Sequence, residues 1–170
     1  MGKQRVEGAQ SRLVSLLIST AVRYAEIGSL RFDPRSGNMR LAFLLNVELS
    51  PEEHLEATRS IMDLCDVYAG LRGQEPKVID VQIDALGQLG IVTVIRDVAS
   101  LTPGEIYTLV EFARERFAGR IAAEPVPYMA EEEWMAQDEW IEEVVTGLAP
   151  GSGKHLIAIR EDGRLMVFQK

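Results

Sequence analysis

The sequence is poor in the residues that carry most protein chemistry. Its 170 residues include one cysteine, Cys65, and two histidines, His54 and His155. A lone cysteine cannot form an internal disulfide, which favours a reducing compartment. Because a metal site usually needs several ligands and no other ligand nitrogen or thiolate lies near His54 in the sequence, we expect a surface histidine there. We also expect Cys65 to be a buried, inert thiol, and the protein to use no metal or other cofactor.

Apolar runs long enough to cross a membrane are also missing. No run approaches the roughly 20 residues that span a bilayer, and no apolar signal-peptide core follows Met1. The net charge is −8, and no basic stripe of the kind that binds nucleic acids stands out. We therefore predict a cytoplasmic protein that associates with neither membranes nor nucleic acids.

Motifs for catalysis or nucleotide binding are incomplete or absent. Gly151-Ser152-Gly153-Lys154 resembles the end of a phosphate-binding loop. That loop needs a glycine where this chain has Leu148 and a serine or threonine where it has His155. No serine occurs in a nucleophile-elbow context. We therefore predict no nucleotide site and no catalytic residues.

Two hairpin–helix units, residues 29–71 and 77–119, organise the remaining pattern. In each, two apolar strands are followed by a helix start, Ser50-Pro51 in the first and Thr102-Pro103 in the second, 52 residues apart. The first unit has turn formers at 33–38 and alternation from Met39 to Leu49. In the second, Gly87 and Gly90 mark the reversal. The pattern predicts an α+β fold with one antiparallel sheet and helices packed on one face. The alternative is that the similarity of the two units is coincidental.

Helices are predicted at Gln4–Ile27, Pro51–Ala69 and Pro103–Ala118, with Gly28 ending the first. The residues of the second helix expected to face inward are Leu55, Thr58, Ile61, Met62, Leu64, Cys65 and Tyr68. Residues 1–120 would then form the body. Residues 121–170 would supply a linker, an acidic helix and a C-terminal hairpin, packed on the body or on a second protomer. Asp162-Gly163 favours a two-residue turn that places Ile159 opposite Met166 and Ile157 opposite Phe168.

Lysine and arginine are absent from the stretch between Ile121 and Gly153, which has eight acidic residues. Within it, Glu131–Gly147 is predicted to be an amphipathic helix, because apolar residues recur at helical spacing opposite the carboxylates. The carboxylates are most simply the solvated side of this helix. The apolar side is the candidate partner-binding surface, and it either packs on its own body, swaps onto a second protomer or contacts a partner. Its residues include Trp134, Trp140, Ile141 and Val144.

The segment Leu101-Thr102-Pro103-Gly104-Glu105-Ile106, together with the element order of residues 5–119, resembles YbjN-type proteins, whose fold is similar to that of type III secretion chaperones. The resemblance implies a small acidic α+β protein, often dimeric, that binds other polypeptides and performs no chemistry. The chain from Ile121 onward has no counterpart in it, and no functional residue is carried over.

A non-enzymatic protein-binding module, chaperone-like or regulatory and dimeric, is the function that these features favour. The alternative is a small-ligand-binding protein or enzyme with a pocket between the sheet and the helices. A structural subunit of a larger assembly also stays open. Such a pocket would need polar groups that converge inside it. If no pocket exists, the same residues are simply exposed strand residues. The candidates for that role are Arg31, Arg40, Asp80, Asp84 and Arg96.

Overall fold

The computed structural model describes residues 17–123, 156–161 and 164–169. Residues 17–23 are helical. The elements that follow are β1 (Ile27–Asp33), β2 (Asn38–Leu45), α1 (Pro51–Leu71), β3 (Ile79–Leu86), β4 (Leu89–Asp97), α2 (Pro103–Arg116), β5 (Leu156–Glu161) and β6 (Arg164–Gln169).

The strands form one antiparallel sheet in the order β3-β4-β2-β1-β5-β6. Alternate residues of the central strands, such as Leu41, Phe43 and Val94, are buried against α1 and α2 in a single core. Leu17 and Ile18 of the N-terminal helical residues join the same core. The predicted α+β fold is therefore confirmed. We call the side of the sheet that faces this core the covered face and the opposite side the open face.

Both helix starts are capped as the sequence predicts. The Ser50 hydroxyl accepts a hydrogen bond from Glu53 N, and the Glu53 carboxylate accepts one from Ser50 N, which completes a capping box. Thr102 accepts a hydrogen bond from the backbone N–H of Glu105. These bonds satisfy N–H groups that have no partner within a helix, so α1 and α2 begin at fixed residues.

The predicted inward face of α1 is partly wrong. Leu55 is 71% exposed and Met62 is 37% exposed, although both were expected to face the core. The buried residues are spaced by four along the helix and are mostly small: Ala57, Ile61, Cys65 and Ala69. Small side chains let a helix lie close to the sheet, and the larger apolar residues are left at the sides of the contact.

The end of β2 and the turn of the second hairpin also differ from the prediction. β2 stops at Leu45, and Val47 is 40% exposed. Gly87, at φ 64°, lies in the two-residue turn between β3 and β4. Gly90 instead lies within β4, where an added Cβ would come within 2.8 Å of the Val47 carbonyl oxygen. Position 90 requires a glycine because the backbone that follows β2 passes close to it, and not because it belongs to the turn.

The N-terminal helix ends earlier than predicted, because Ile27 already belongs to β1. Gly28 therefore lies in that strand, where the β1–β2 register shifts between Ile27 and Ser29. It does not end a helix.

The C-terminal hairpin has the predicted register, with Ile157 opposite Phe168 and Ile159 opposite Met166. Its first strand extends the sheet by pairing with β1, so that Ser29 lies opposite Ile159. The predicted acidic helix Glu131–Gly147 lies outside the described residues. None of the described helices combines the length and the apolar character needed to cross a bilayer.

Candidate functional site

A cluster of ionised side chains is buried where β4 meets α2. The Arg96 side chain is fully buried, and it donates to Glu105 through Nε (2.6 Å) and through Nη2 (3.0 Å). Its Nη1 donates to Asp97 Oδ1 at 2.7 Å and to the Val78 carbonyl at 2.8 Å, and its Nη2 reaches Ser100 Oγ at 3.1 Å. These five hydrogen bonds use every N–H of the guanidinium.

The surroundings of Asp97 favour its ionised form. Burial alone would raise the pKa of this carboxyl, but hydrogen bonds from Ser100, from the Val78 backbone and from Arg96 lower the pKa to about 2. Nearby, burial raises the pKa of the Cys65 thiol to about 12, with Glu105 contributing in the same direction. The thiol is buried as predicted, and a thiol with such a pKa is a poor nucleophile.

This ion cluster joins elements of the second unit and leaves no guanidinium N–H for a ligand. Arg96 bonds the start of α2 through Glu105 and the chain before β3 through Val78. A buried, fully hydrogen-bonded network of this kind holds elements in register, which makes it a structural feature. The prediction that Arg96 is an exposed strand residue is wrong.

The similarity of the two units does not predict that Arg96 is buried. Leu44 and Arg96 each lie six residues before a helix cap, Ser50 and Thr102 respectively, yet Leu44 belongs to the open face and Arg96 to the covered face. The alternation in β4 is thus shifted by one residue relative to β2. Apolar residues occur on both faces of β4, so its pattern alone does not show this shift.

The open face of the sheet carries an apolar groove. It encloses about 520 Å³ and crosses β4, β2, β1 and β5. Its floor contains the small residues Ser29 and Ala42, which lie opposite each other in the β1–β2 pair. Larger apolar side chains stand around this floor. The groove is lined by Ala25, Gly28, Ser29, Ala42, Leu44, Ile91, Ala122, Ala123 and Ile159.

The chain after α2 forms one wall of this groove. Ala122 N donates to the Leu44 carbonyl at 2.8 Å, and Asn46 N donates to the Arg120 carbonyl at 2.8 Å. Ile121 forms a bridge with Leu45, so this segment lies beside the end of β2. The hydrogen bonds bring Ala122 and Ala123 to the open face, although α2 itself packs on the covered face.

Two arginines lie beside the groove on the same face. Arg31 and Arg40 are opposite each other in the β1–β2 pair, and both are exposed. Arg40 Nη1 donates to Gln82 Oε1 at 3.1 Å. Ile157 lies next to Arg31 on β5. The face therefore combines a groove for apolar side chains with two arginines on β1 and β2 and two exposed acids, Asp80 and Asp84, on β3.

The residues predicted to carry function have different fates. The apolar side of the acidic helix, with Trp134, Trp140, Ile141 and Val144, lies outside the described residues. His54 is half-buried in the first turn of α1. In the described part of the chain, no group of histidine, cysteine or acidic side chains is placed to hold a metal ion. Asp80 and Asp84 are exposed on β3, as expected for strand residues of the open face.

No residue of the groove was predicted from the sequence to carry function. The one signal that pointed to it was the presence of apolar residues on both faces of β2 and β4, such as Leu44 next to Phe43. Strands of this kind need cover on both sides. Which residues line a groove depends on the order of the strands in the sheet, and that order was not predicted.

Comparison with protein-family models, with curated proteins and with solved structures found no match to the chain. The resemblance to YbjN-type proteins and to secretion chaperones therefore stays a prediction.

Proposed function

We propose that the chain is a non-enzymatic protein-binding module, chaperone-like or regulatory, whose groove receives an apolar helical segment of another polypeptide. The observation that carries this proposal is the groove on the open face, opposite α1 and α2. Amphipathic helices bind in such grooves through apolar residues at helical spacing. The Arg31–Arg40 pair would favour a segment with acidic residues beside its apolar side.

The lining of the groove supports binding more than catalysis. Its single polar side chain is Ser29, and the other lining residues are alanine, glycine, leucine and isoleucine. General acid–base or nucleophilic catalysis requires ionisable groups directed at a reacting atom. The ionised groups that converge in the described core, Arg96, Asp97 and Glu105, are buried and bonded to one another.

A small apolar ligand is a second candidate for the same groove. Its volume of about 520 Å³ lies within the range of small-molecule sites, roughly 300–1,000 Å³. This alternative differs from the predicted pocket, which was placed between the sheet and the helices.

The test is selection of helical peptides from a random library against the protein, followed by titration with two variants. Ala42→Arg places a long charged side chain in the floor of the groove. Tyr107→Arg adds the same side chain on α2, at a position that is 54% exposed and outside the groove. We expect Ala42→Arg to abolish binding of the selected peptides and Tyr107→Arg to leave it unchanged.

If the selected peptides bind both variants as tightly as the wild type, the groove is not the binding surface. If no peptide is selected while aliphatic carboxylic acids raise the melting temperature of the wild type but not of Ala42→Arg, the small-ligand alternative replaces the proposal.

We also propose that the protein forms a homodimer through α1. The side chains that support this are Leu55 and Met62, seven residues apart on one side of the helix and both exposed. Light scattering should give twice the chain mass of 18.9 kDa for the wild type and a single chain mass for Leu55→Glu. A wild-type monomer would contradict this part of the proposal.

A further inference from the structure

The chain leaves and re-enters the described structure at opposite ends of the open face. It leaves at Ala123, in the groove wall beside Leu44 of β2. It returns at Leu156, which pairs with Phe32 at the other end of β1. Along β2, the separation between these ends corresponds to five residues, or about 17 Å of strand. Residues 124–155 must span this distance.

The predicted helix within this segment has the length needed to cross the face. Residues 131–147 would form a helix of about 25 Å, with seven residues before it and eight after it as connections. A path along the strands from Ala123 to Leu156 passes the groove first and the Arg31–Arg40 pair next. The apolar side of that helix would match the groove, and carboxylates at the border of this side, not those on the opposite side, would reach the arginines.

The charges of the segment complement those of the β1–β2 part of the open face, whereas the exposed acids Asp80 and Asp84 lie on β3, two strands away from β2. The chain between Ile121 and Gly153 has eight acidic residues and neither lysine nor arginine. Arg31 and Arg40 are adjacent and exposed on the open face. Two like charges opposite each other in a strand pair repel, so a carboxylate placed near both is stabilising.

We propose that residues 124–155 occupy the groove of their own chain, with the side that carries Trp134 and Trp140 on the floor formed by Ser29 and Ala42. The inference extends the proposed function, since an external helix must then displace this segment. The groove would be occupied intramolecularly until a partner competes for it. The small floor residues leave room for the large indole side chains.

Tryptophan fluorescence tests the inference directly, because the only two tryptophans of the chain, Trp134 and Trp140, are both in this segment. In the full-length wild type we expect blue-shifted emission and weak quenching by acrylamide. Ala42→Arg and Ser29→Arg should each shift the emission to the red and raise the quenching constant severalfold. Tyr107→Arg, on α2, should change neither.

Retained secondary structure by circular dichroism would show that the groove variants remain folded, and the two independent positions guard against failure of one. Arg31→Glu combined with Arg40→Glu should also raise quenching, and in the wild type high salt should act in the same direction. Wild-type tryptophans that are quenched as freely as in urea would overturn the inference. Tryptophans that stay shielded from acrylamide in both groove variants would also overturn it. The same holds if the tryptophans lose their shielding on dilution while the measured mass falls by half, because the segment would then bind a second protomer.

The peptide titration separates this inference from the proposed function. If the segment occupies the groove in about 90% of molecules, the combined variant Trp134→Ala and Trp140→Ala should bind a selected peptide roughly tenfold more tightly. Freely quenched tryptophans together with groove-dependent peptide binding would leave the function standing and overturn the inference. If the tryptophans are shielded in the wild type and exposed in Ala42→Arg, but no peptide binds, the inference stands and the proposed function is overturned.

Discussion

The covered and open faces of the sheet are built from the same strands but differ in what accompanies their apolar side chains. On the covered face, Leu41 and Val94 pack against helices, and buried Arg96 is hydrogen-bonded to Glu105, Asp97, Ser100 and the Val78 carbonyl. On the open face, half-buried Leu44 and Ile91 surround a groove, and Arg31 and Arg40 are exposed. Charge is thus used for internal order on one side and is available to a binding segment on the other. Substitutions on the two faces should therefore affect stability and binding separately.

The largest effect is expected for Arg96→Met on the covered face. This change leaves Glu105 and Asp97 buried without their cation, and it should lower the free energy of unfolding by about 3–5 kcal/mol. Urea denaturation followed by circular dichroism measures the difference. The double variant Arg96→Met with Glu105→Leu should recover part of the loss, because it removes one of the two carboxylates that are left without a cation. A double variant less stable than the single one would show that the network is not held by this pair.

A matched pair of leucines compares the faces directly. Leu41→Ala removes a fully buried side chain from the core and should cost about 3 kcal/mol. Leu44→Ala, three residues along the same strand, should cost about 1 kcal/mol because its side chain is only half-buried in the groove. Both values come from the same denaturation experiment. Equal losses would mean that the open face is packed as tightly as the core.

Acid should destabilise the buried ion cluster through Asp97. The folded-state pKa of this carboxyl is about 2 and its ordinary value is 3.8, so its contribution is present above pH 4 and is lost as the pH falls toward 2. The size of the loss is roughly 2 kcal/mol. Stability curves of the wild type and of Asp97→Asn should converge over this range, since the variant lacks the titrating group. Curves that stay parallel would contradict the assignment.

The smallest response is expected from Cys65, whose side chain on α1 is buried in the core beside the covered face. Its thiol is buried and its pKa is raised to about 12, so a thiol reagent at pH 8 should not label the folded protein. Labelling in urea should be complete. The variant Val67→Cys with Cys65→Ser places a thiol at a position of the same helix that is 60% exposed and away from Leu55 and Met62, and it should react at once. Rapid labelling of the wild type would show that α1 opens readily.

Local signals predicted the elements that they govern directly. Asp162-Gly163 favours a two-residue turn, and that turn fixes every pair of the C-terminal hairpin, including Ile157 with Phe168. Ser50 and Thr102 likewise fixed the starts of α1 and α2. Register and helix start depend on residues close together in sequence, so they can be predicted from it.

Features that depend on distant parts of the chain were not predictable in the same way. Ser29 pairs with Ile159 across most of the sequence, and no local pattern specifies that β5 should choose β1. The burial of Arg96 depends on a one-residue shift of alternation between two similar units. The groove combines both effects, because most of its lining comes from four strands whose order follows from long-range pairing.

The position of β5 has a consequence for synthesis of the protein. A ribosome adds about 5–20 residues per second, so several seconds separate the emergence of α2 from that of β5. During this interval the outer edge of β1 has no strand to pair with along Ser29–Phe32, where β5 later binds. A free strand edge is a template for pairing with other nascent chains, and a charged residue such as Arg31 in the middle of that edge discourages it. We therefore expect Arg31 to discourage such pairing of unfinished chains on the polysome before it contributes to the surface of the finished protein.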